Sequence, residues 1–540
     1  MRFHMLCALL CLLAGSAAAQ QIQVGDPLED YARLLQLEGA VPSFSFAVRP
    51  LSARTLLGEV EPEHVHPWQE LLGRYQRPLS PGWLRLGAYD PEVQTFWNSG
   101  RPAGQNDGAV WQGRGGTIAV SAGTFARASV LSVSFRPRLI YNQNRAFPLW
   151  PGTTYNEAPG HVNLDRPQRF GRAPFSTFDL GQSYVRLDVL GLAAGLSNED
   201  HWWGPARQNA IILSNNAPGF PHAFVGTSGP VDVWVGDFHV QWLWGRLEES
   251  GYFEDPRKRS DERFITGAVL DIAPRGFDGL SIGLARMFVR TVYTDAVNQA
   301  RRPLTSRDYF IIFQSPFKLF TGGQDRFGFD EYDQLASVYA RWLFPESGFE
   351  IYGEYARGDH NSEARDFIVH LQHAGAYTAG FQKSFELATH QRLRLEVELT
   401  RLEAPRAELS RAPTGTFFYI NTTVRQGYTQ RGQIMGAGIG PGSNSQYVGL
   451  DFFAPWGRAG GFVRRVAYDN DQFHALSDVS SSQHEIELSS GIRGLLFYGG
   501  FELDATLTVG RLLNQFYQFE NDHSNVNLTL SLRRELIGYR

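Results

Sequence analysis

Two periodicities divide the chain. Residues 26–39 place Leu28, Tyr31, Leu34 and Leu35 at helical spacing along one stripe. Asp26 stands where an N-cap belongs, Pro27 at the first helical position, Glu29 at the third as the partner of a capping-box-like pair, and Gly39 as the stop. A second short helix is predicted from Ser52. A third is predicted from Pro67, with Trp68, Leu71, Leu72 and Tyr75 on one face. Helices this short are marginal alone in water, so they must dock on something larger. From about residue 82 the period becomes two. In Arg392–Leu399, Leu393, Leu395, Val397 and Leu399 face one side while Arg392, Arg394, Glu396 and Glu398 face the other. The same alternation recurs in Tyr184–Val189, Val231–Val235, Leu280–Leu284, Phe349–Tyr355, Phe501–Val509 and Val526–Leu532. Turn residues separate these runs at Asp271–Gly279, Pro345–Gly348, Ala404–Pro413 and Asp469–Asp471.

An alternating region of this length admits a soluble sandwich or propeller, or a transmembrane β-barrel. A barrel leaves no open edge and satisfies every backbone group, as a bilayer requires. Three features favour it. The apolar members of the alternation are mostly Leu, Val, Phe and Ala, and the opposite face carries full charges suited to a wet lumen. Aromatic residues also gather at strand ends, as with Trp342 and Phe344 before Pro345, or Trp242 and Trp244 before Gly245. Spans of about 10 residues with their connections give about 16–20 strands. The terminal Tyr539-Arg540 departs from the final aromatic residue usual in such barrels.

Both cysteines of the 540-residue chain, Cys7 and Cys11, lie in the first nineteen residues. That stretch has Arg2, an apolar run from Met5 to Ala14, and Ala17-Ala18-Ala19 before Gln20, the pattern of a secretory signal peptide. Leu10 before Cys11 disfavours a lipoprotein signal, which wants a small residue there. The expected organisation is a signal peptide at 1–19, a periplasmic helical bundle at 20–80 and an outer-membrane barrel at 81–540, with no disulfide. The formal charge of −5 points away from nucleic acid. Lysine occurs only at Lys258, Lys318 and Lys383, so nearly all positive charge is arginine. A GC-rich genome explains that bias; a need for planar forks that grip carboxylates is the alternative.

Several blocks resemble the Wzi-type capsule assembly family of outer-membrane proteins. They are Tyr31–Gly39 with Val41-Pro42 and Arg49–Ser52, Asn98-Ser-Gly100 with Asn106–Gly115, Trp202-Trp-Gly-Pro205 with Arg207 and Ser214–Pro218, Ala340–Tyr355, Ala376–Lys383, and Gln433–Ser443. The resemblance implies an 18-stranded barrel with a small helical bundle. It also implies a lectin-like role, the non-covalent holding of capsular or other surface polysaccharide, without catalysis. The partners it implies are that polysaccharide, outer-membrane lipid and capsule export machinery, with the chain a monomer. The lumen is then expected to be obstructed by inward loops, with the helices at the periplasmic mouth. A diffusion channel for saccharides or other solutes shares the same barrel and stays open as a reading.

Sugar binding needs flat aromatic faces and planar amide or guanidinium groups. Trp202, Trp203, Arg207, Asn215 and Asn216 supply these within fifteen residues; the alternative is girdle tryptophans beside a packed turn. Tyr428, Arg431 and Gln433 form a second candidate, or an inward loop that merely closes the barrel. Glu396 and Glu398 have the spread of glycosidase carboxylates, about 6.6–6.8 Å along a strand. Arg392 and Arg394 on the same face read instead as a self-neutralising ladder. Glu63, His64 and His66 precede a helix and suit capping better than metal binding. Asp469-Asn-Asp471 lacks the glycine and glutamate of a calcium loop. Gly436–Gly440 is followed by Pro441 rather than a helix, so it is no dinucleotide fingerprint and reads as a flexible loop. No cofactor or metal is expected.

Overall fold

The computed structural model describes residues 21–57, 65–70, 72, 84–149, 173–250, 262–292, 303–313, 332–358, 375–404, 418–421, 424, 426–476 and 480–534. The leader, Glu63-His64, Leu71, Tyr75 and the Tyr539-Arg540 terminus lie outside them. Antiparallel strands close into an 18-stranded barrel. Three of its strands are each broken in two: Leu131–Phe135 with Arg138–Asn142, Phe175–Asp179 with Tyr184–Val189, and His222–Thr227 with Val231–Val233. The wall closes where His523–Arg534 pairs with Leu84–Asn98, Asn527 opposite Asn98 and Arg533 opposite Glu92.

The two ends differ. One carries short turns, such as Gly499-Gly500 between Tyr498 and Phe501. Both glycines have positive φ, 59° and 79°, which a two-residue hairpin of this hand requires and other residues resist. The other end carries the long connections, among them 99–114, 198–221 and 402–443. Alternation places the side chains as expected. Arg392, Arg394, Glu396 and Glu398 are at most 3% exposed, whereas Leu399 is 47% exposed and Ile282, Leu284, Val338 and Val448 are similar. So broad an apolar outer face suits lipid. Trp342 and Phe344 stack 5.2 Å apart on the outside near the short-turn end. Trp242 and Trp244, 4.3 Å apart, lie outside toward the loop end, so aromatic residues mark both rims.

The N-terminal segment forms helix α1 (Pro27–Leu37), a one-turn helix Ala53–Leu57 and three two-residue strands. Asp26 caps α1 by accepting the Leu28 N–H at 2.9 Å. The capping box is displaced by one residue: Glu29 accepts the Gly25 N–H at 3.3 Å rather than that of Asp26, and its other oxygen pairs with Arg49 at 2.5 Å. At the other end Gly39 (φ 69°) donates to Gln36 and Ala40 to Leu35, which satisfies the last carbonyls.

Beyond Leu28, almost every side chain of α1 is buried, polar ones included. Rather than a bundle standing at the mouth, the described part of this segment inserts into the short-turn end of the lumen. Its core (Tyr31, Leu34, Leu35, Phe46 and Trp68) continues into Leu343, Phe453 and Leu495, which point inward from the wall. Tyr31 stacks on Trp68 at 3.9 Å and its hydroxyl meets His66 Nδ1 at 2.9 Å, so His66 serves this packing. Charge fixes the register. Asp30 meets Arg394 at 2.8 Å, Arg458 at 2.8 Å, and Arg207; Arg33 meets Glu350 at 2.7 Å, and Glu38 meets Arg392 at 2.9 Å. The ladder expected within 392–398 is therefore not formed. Those four residues point into a packed interior and find partners on the inserted segments and on neighbouring wall strands, such as Asp451 for Arg394 and Tyr352 for Glu398.

Burial alone would raise the Asp30 carboxyl, but Arg394, Arg207 and Arg458 hold it well below the usual carboxylate range. Its contribution is thus present above the ordinary carboxylate value of 3.8 and is lost as pH falls below it. Replacing Asp30→Asn leaves three guanidinium groups facing one another and should cost about 3–5 kcal/mol of segment docking. The measurement is protease susceptibility of residues 21–57 in the otherwise folded barrel. A segment as resistant as in the parent would show that the ion pairs do not hold it.

Candidate functional site

The connection 198–221 leaves the wall at Ser197, turns into the lumen and returns at His222. It can do so because the wall supplies acceptors for its backbone. The N–H groups of Arg207, Gln208 and Asn209 converge on the Glu398 carboxylate at 2.7, 3.1 and 2.8 Å, and the Tyr352 hydroxyl donates to the same group at 2.8 Å. A buried carboxylate in a concave run of amides satisfies both sides. Glu396 takes the Gln208 amide at 2.7 Å and the Arg207 guanidinium at 2.9 Å. Both glutamates are thereby committed to holding the loop.

The second inward segment, 418–442, packs on the first. Tyr419 and Tyr428 stack at 5.8 Å and donate to the Ile211 and Ile212 carbonyls, each at 2.7 Å. Ile211, Ile212, Leu213, Ile434, Met435 and Ile439 join inward wall residues such as Ile265, Val269 and Met287 in one core. This core is an apolar plug inside the lumen, built against the wall strands from Leu192–Ser197 round to Gly457–Tyr468. The run Gly436–Gly440, expected as a flexible loop, is part of it. At Gly436 an added Cβ would come within 2.3 Å of the Ile211 carbonyl oxygen, a backbone contact between the two segments that glycine permits.

The two candidate groups, over 200 residues apart in sequence, are thus brought together, but not as one open surface. Trp202 and Trp203 are 3% and 0% exposed. They pair with Arg49 and Val48 of the N-terminal segment in a two-stranded ladder. Arg49 lies 4.7 Å over the Trp202 ring, and Trp203 Nε1 donates to Gln241 at 3.1 Å. They are therefore neither girdle residues nor a stacking platform. Arg207 is taken by Asp30 and Glu396. Asn215 is buried against the Val24 carbonyl (3.4 Å). Tyr428 is buried in the plug, and Arg431 binds Asp179 at 2.7 Å and also Glu248. Asn216 and Gln433, by contrast, border a shared open space.

That space is a cavity on the loop side of the plug. Asn216, Gln433 and Gly438 form part of its lining, and the connection 99–114 contributes Arg101, Gln105, Asn106, Asp107, Trp111 and Gln112. Phe147, Arg464, Tyr468, Glu485, Glu487 and Gln515 complete the ring. Arg101 binds Glu487 at 2.5 Å, and Arg464 donates to Gln105 at 2.9 Å. Among the described residues, Asn106 Oδ1, Gln515 Oε1 and Arg464 Nε are buried without a hydrogen-bond partner. Buried groups of this kind are costly unless something fills them. Burial pushes the Asp107 carboxyl up to about 7 despite the amide it accepts from Gln112 at 2.7 Å. The cavity thus offers fixed amides, two guanidinium groups and aromatic edges. Such a set can exchange hydrogen bonds with hydroxyl-rich ligands. Most of these residues were missed in the sequence. The signal was the Asn106–Gly115 block, which carries Asn106, Trp111 and Gln112.

The family model "Capsule assembly protein Wzi" matches residues 98–526. No curated protein sequence matches the chain. Among solved structures the chain is similar to Wzi of Escherichia coli, described as a carbohydrate-binding outer-membrane β-barrel involved in group 1 capsule assembly. The two share 12% identity, covering 96% of this chain and 100% of that one, with a TM-score of 0.63. Pseudomonas aeruginosa OprD (8% identity, 83% and 94% covered, TM-score 0.38) and OccK2 (12%, 85% and 100%, 0.39) are more distant barrels.

Two outcomes follow from the geometry. The protein should show no steady conductance in a planar bilayer, whereas Glu396→Ala with Glu398→Ala should release 198–221 and produce resolvable openings; a double variant as silent as the parent would refute this anchoring. Asp107 titrates higher in the folded chain than in the unfolded one. Its protonated form therefore supports the cavity fully below 3.8, and that support is lost as pH rises through about 7. Thermal melting of Asp107→Asn should gain on the parent across that window, and parallel melting curves would count against it.

Proposed function

The chain belongs to the Wzi capsule assembly family, and from that premise we propose that it is an outer-membrane barrel that holds surface polysaccharide non-covalently in the loop-end cavity. Outer-membrane barrels turn their short connections to the periplasm and their long ones outward. The cavity then opens toward the cell exterior, and the inserted α1 segment faces the periplasm. The observation that carries the reading is the lining itself, in which the amides of Gln105, Asn106, Gln112, Asn216 and Gln433 and the guanidinium groups of Arg101 and Arg464 surround one space with Trp111. Sugar hydroxyls both donate and accept, so one ring can satisfy amide oxygens and a guanidinium N–H together while an aromatic face takes its C–H side. Asn216 and Gln433 stay in the proposed site; Trp202, Trp203, Arg207, Asn215, Tyr428 and Arg431 act behind it by fixing the plug.

The apolar plug favours tethering over diffusion, because a polymer held at the outer face has no path through the lumen. Retention without bond cleavage is what this set of amides and guanidinium groups provides. In this reading the chain acts as a monomer surrounded by outer-membrane lipid, and receives polymer from the export machinery.

Arg464→Ala and Trp111→Ala should each weaken retention of the host's surface polysaccharide about tenfold, the worth of one charged hydrogen bond or a stacking contact. Trp234→Ala, at a short turn on the far end, should change nothing. Binding is read on detergent-purified protein by calorimetry with isolated polymer. Undiminished affinity in a folded Trp111→Ala, Arg464→Ala double variant would remove the cavity from consideration.

A further inference from the structure

The strand Leu280–Val292 turns Ile282, Leu284, Arg286, Phe288 and Arg290 outward, since Ala285, Met287 and Val289 enter the internal core. Two arginines on a lipid-facing wall call for shielding. It comes from the connection that follows this strand. Residues 303–313, comprising a one-turn helix Ser306–Tyr309 and a 3₁₀ turn Ile311–Phe313, lie against the outer face. The Ile312 carbonyl accepts from Arg286 at 3.0 Å, and Asp308 binds Arg290 and the Tyr332 hydroxyl. Trp244 Nε1 donates to the Tyr309 carbonyl at 2.8 Å, and Trp242 meets Phe310 and Phe313 edge-on at 5.5 and 5.2 Å. The Asp308 carboxylate and the Tyr309 and Ile312 carbonyls of the segment are thus turned toward the wall, while Thr305, Ser306 and Arg307 are exposed beside the rings. Its rings face away: Tyr309 is 40%, Phe310 56% and Phe313 71% exposed.

We propose that residues 303–313 form a lipid-embedded flap, with Tyr309, Phe310 and Phe313 seated among the acyl chains and headgroups of the outer leaflet. The occupant follows from continuity. The rings extend the same apolar surface that Leu284 and Val338 present just below (48% and 57% exposed), on the side of the wall where the Trp242–Trp244 rim lies. A short segment that exposes three aromatic rings beside Thr305, Ser306 and the basic Arg307 is suited to the membrane interface, where rings meet acyl chains and a cation meets headgroups. The flap works in both directions. It shields Arg286 and Arg290 from hydrocarbon, and it fixes the height of this side of the barrel in the membrane.

The chain's two cysteines fall within the first nineteen residues, so the mature protein takes a single introduced thiol, with the unsubstituted protein as labelling blank. Phe313→Cys and, separately, Tyr309→Cys are labelled with an environment-sensitive fluorophore in vesicles containing acyl-brominated lipid. Leu284→Cys marks the lipid band and Trp234→Cys the aqueous end. Both flap labels should be quenched by lipid bromine to the extent of the Leu284→Cys label, with iodide quenching about fivefold weaker than at Trp234→Cys. Flap labels quenched by iodide as strongly as the Trp234→Cys label would overturn the proposal. So would a disulfide-linked dimer of Phe313→Cys under mild oxidation, which would assign the rings to a second copy of the chain.

Discussion

A single carboxylate ties the molecule together. Asp30, in the first turn of α1, is gripped by Arg394 and Arg458 of the wall and by Arg207 of the inward connection. α1 is also held by Arg33–Glu350, Glu38–Arg392 and its apolar core, and the connection by Glu398, but Asp30 is the one group that joins the two to each other and to the wall. Burying one charge among three opposite ones makes the arrangement specific, because any other placement leaves guanidinium groups stranded in a packed interior. Arg394 and Arg493 share Asp451 as well, so the network continues around the wall. The scarcity of lysine takes on a structural meaning here: these contacts are branched or bidentate, which an ammonium group does not reproduce.

Around that anchor the barrel solves a problem that lipid poses. Apolar side chains are spent on the outer face, so the inside cannot be an oily core by alternation alone. The described lumen is filled by imported apolar residues in 198–221 and 418–442, while the wall contributes acceptors for their backbones. The Glu398 carboxylate does the work that a neighbouring strand does elsewhere. The result is a packed floor, and the candidate cavity takes Asn216, Gln433 and Gly438 from it and the rest of its lining from the connection 99–114 and the wall.

The wall was legible in the sequence because a two-residue period has one interpretation once both faces are known to differ. Helix α1 was legible from Asp26, Pro27 and Gly39. The inward path of 198–221 was not. Its tryptophans, asparagines and arginine have the composition of an exposed binding loop, and only contacts with Arg49, Asp30 and Glu398, far away in sequence, reveal them as interior. The same blindness produced the ladder of Arg392–Glu398, where residues two apart share a face but reach past one another to partners on other elements. Cavity residues such as Arg464 and Gln515 stand on unremarkable strand ends and loops, and only closure of the wall gathers them.

The pairing at Asp30 also imposes an order in time. Its partners lie 177, 364 and 428 residues further along the chain. The pocket that receives it exists only after strand Gly457–Tyr468 has joined its neighbours, so the segment synthesised first is the one placed last. Contacts this remote are slow to form. Until then Asp30 lacks its three partners, and Arg207, Arg394 and Arg458 lack the one carboxylate they share.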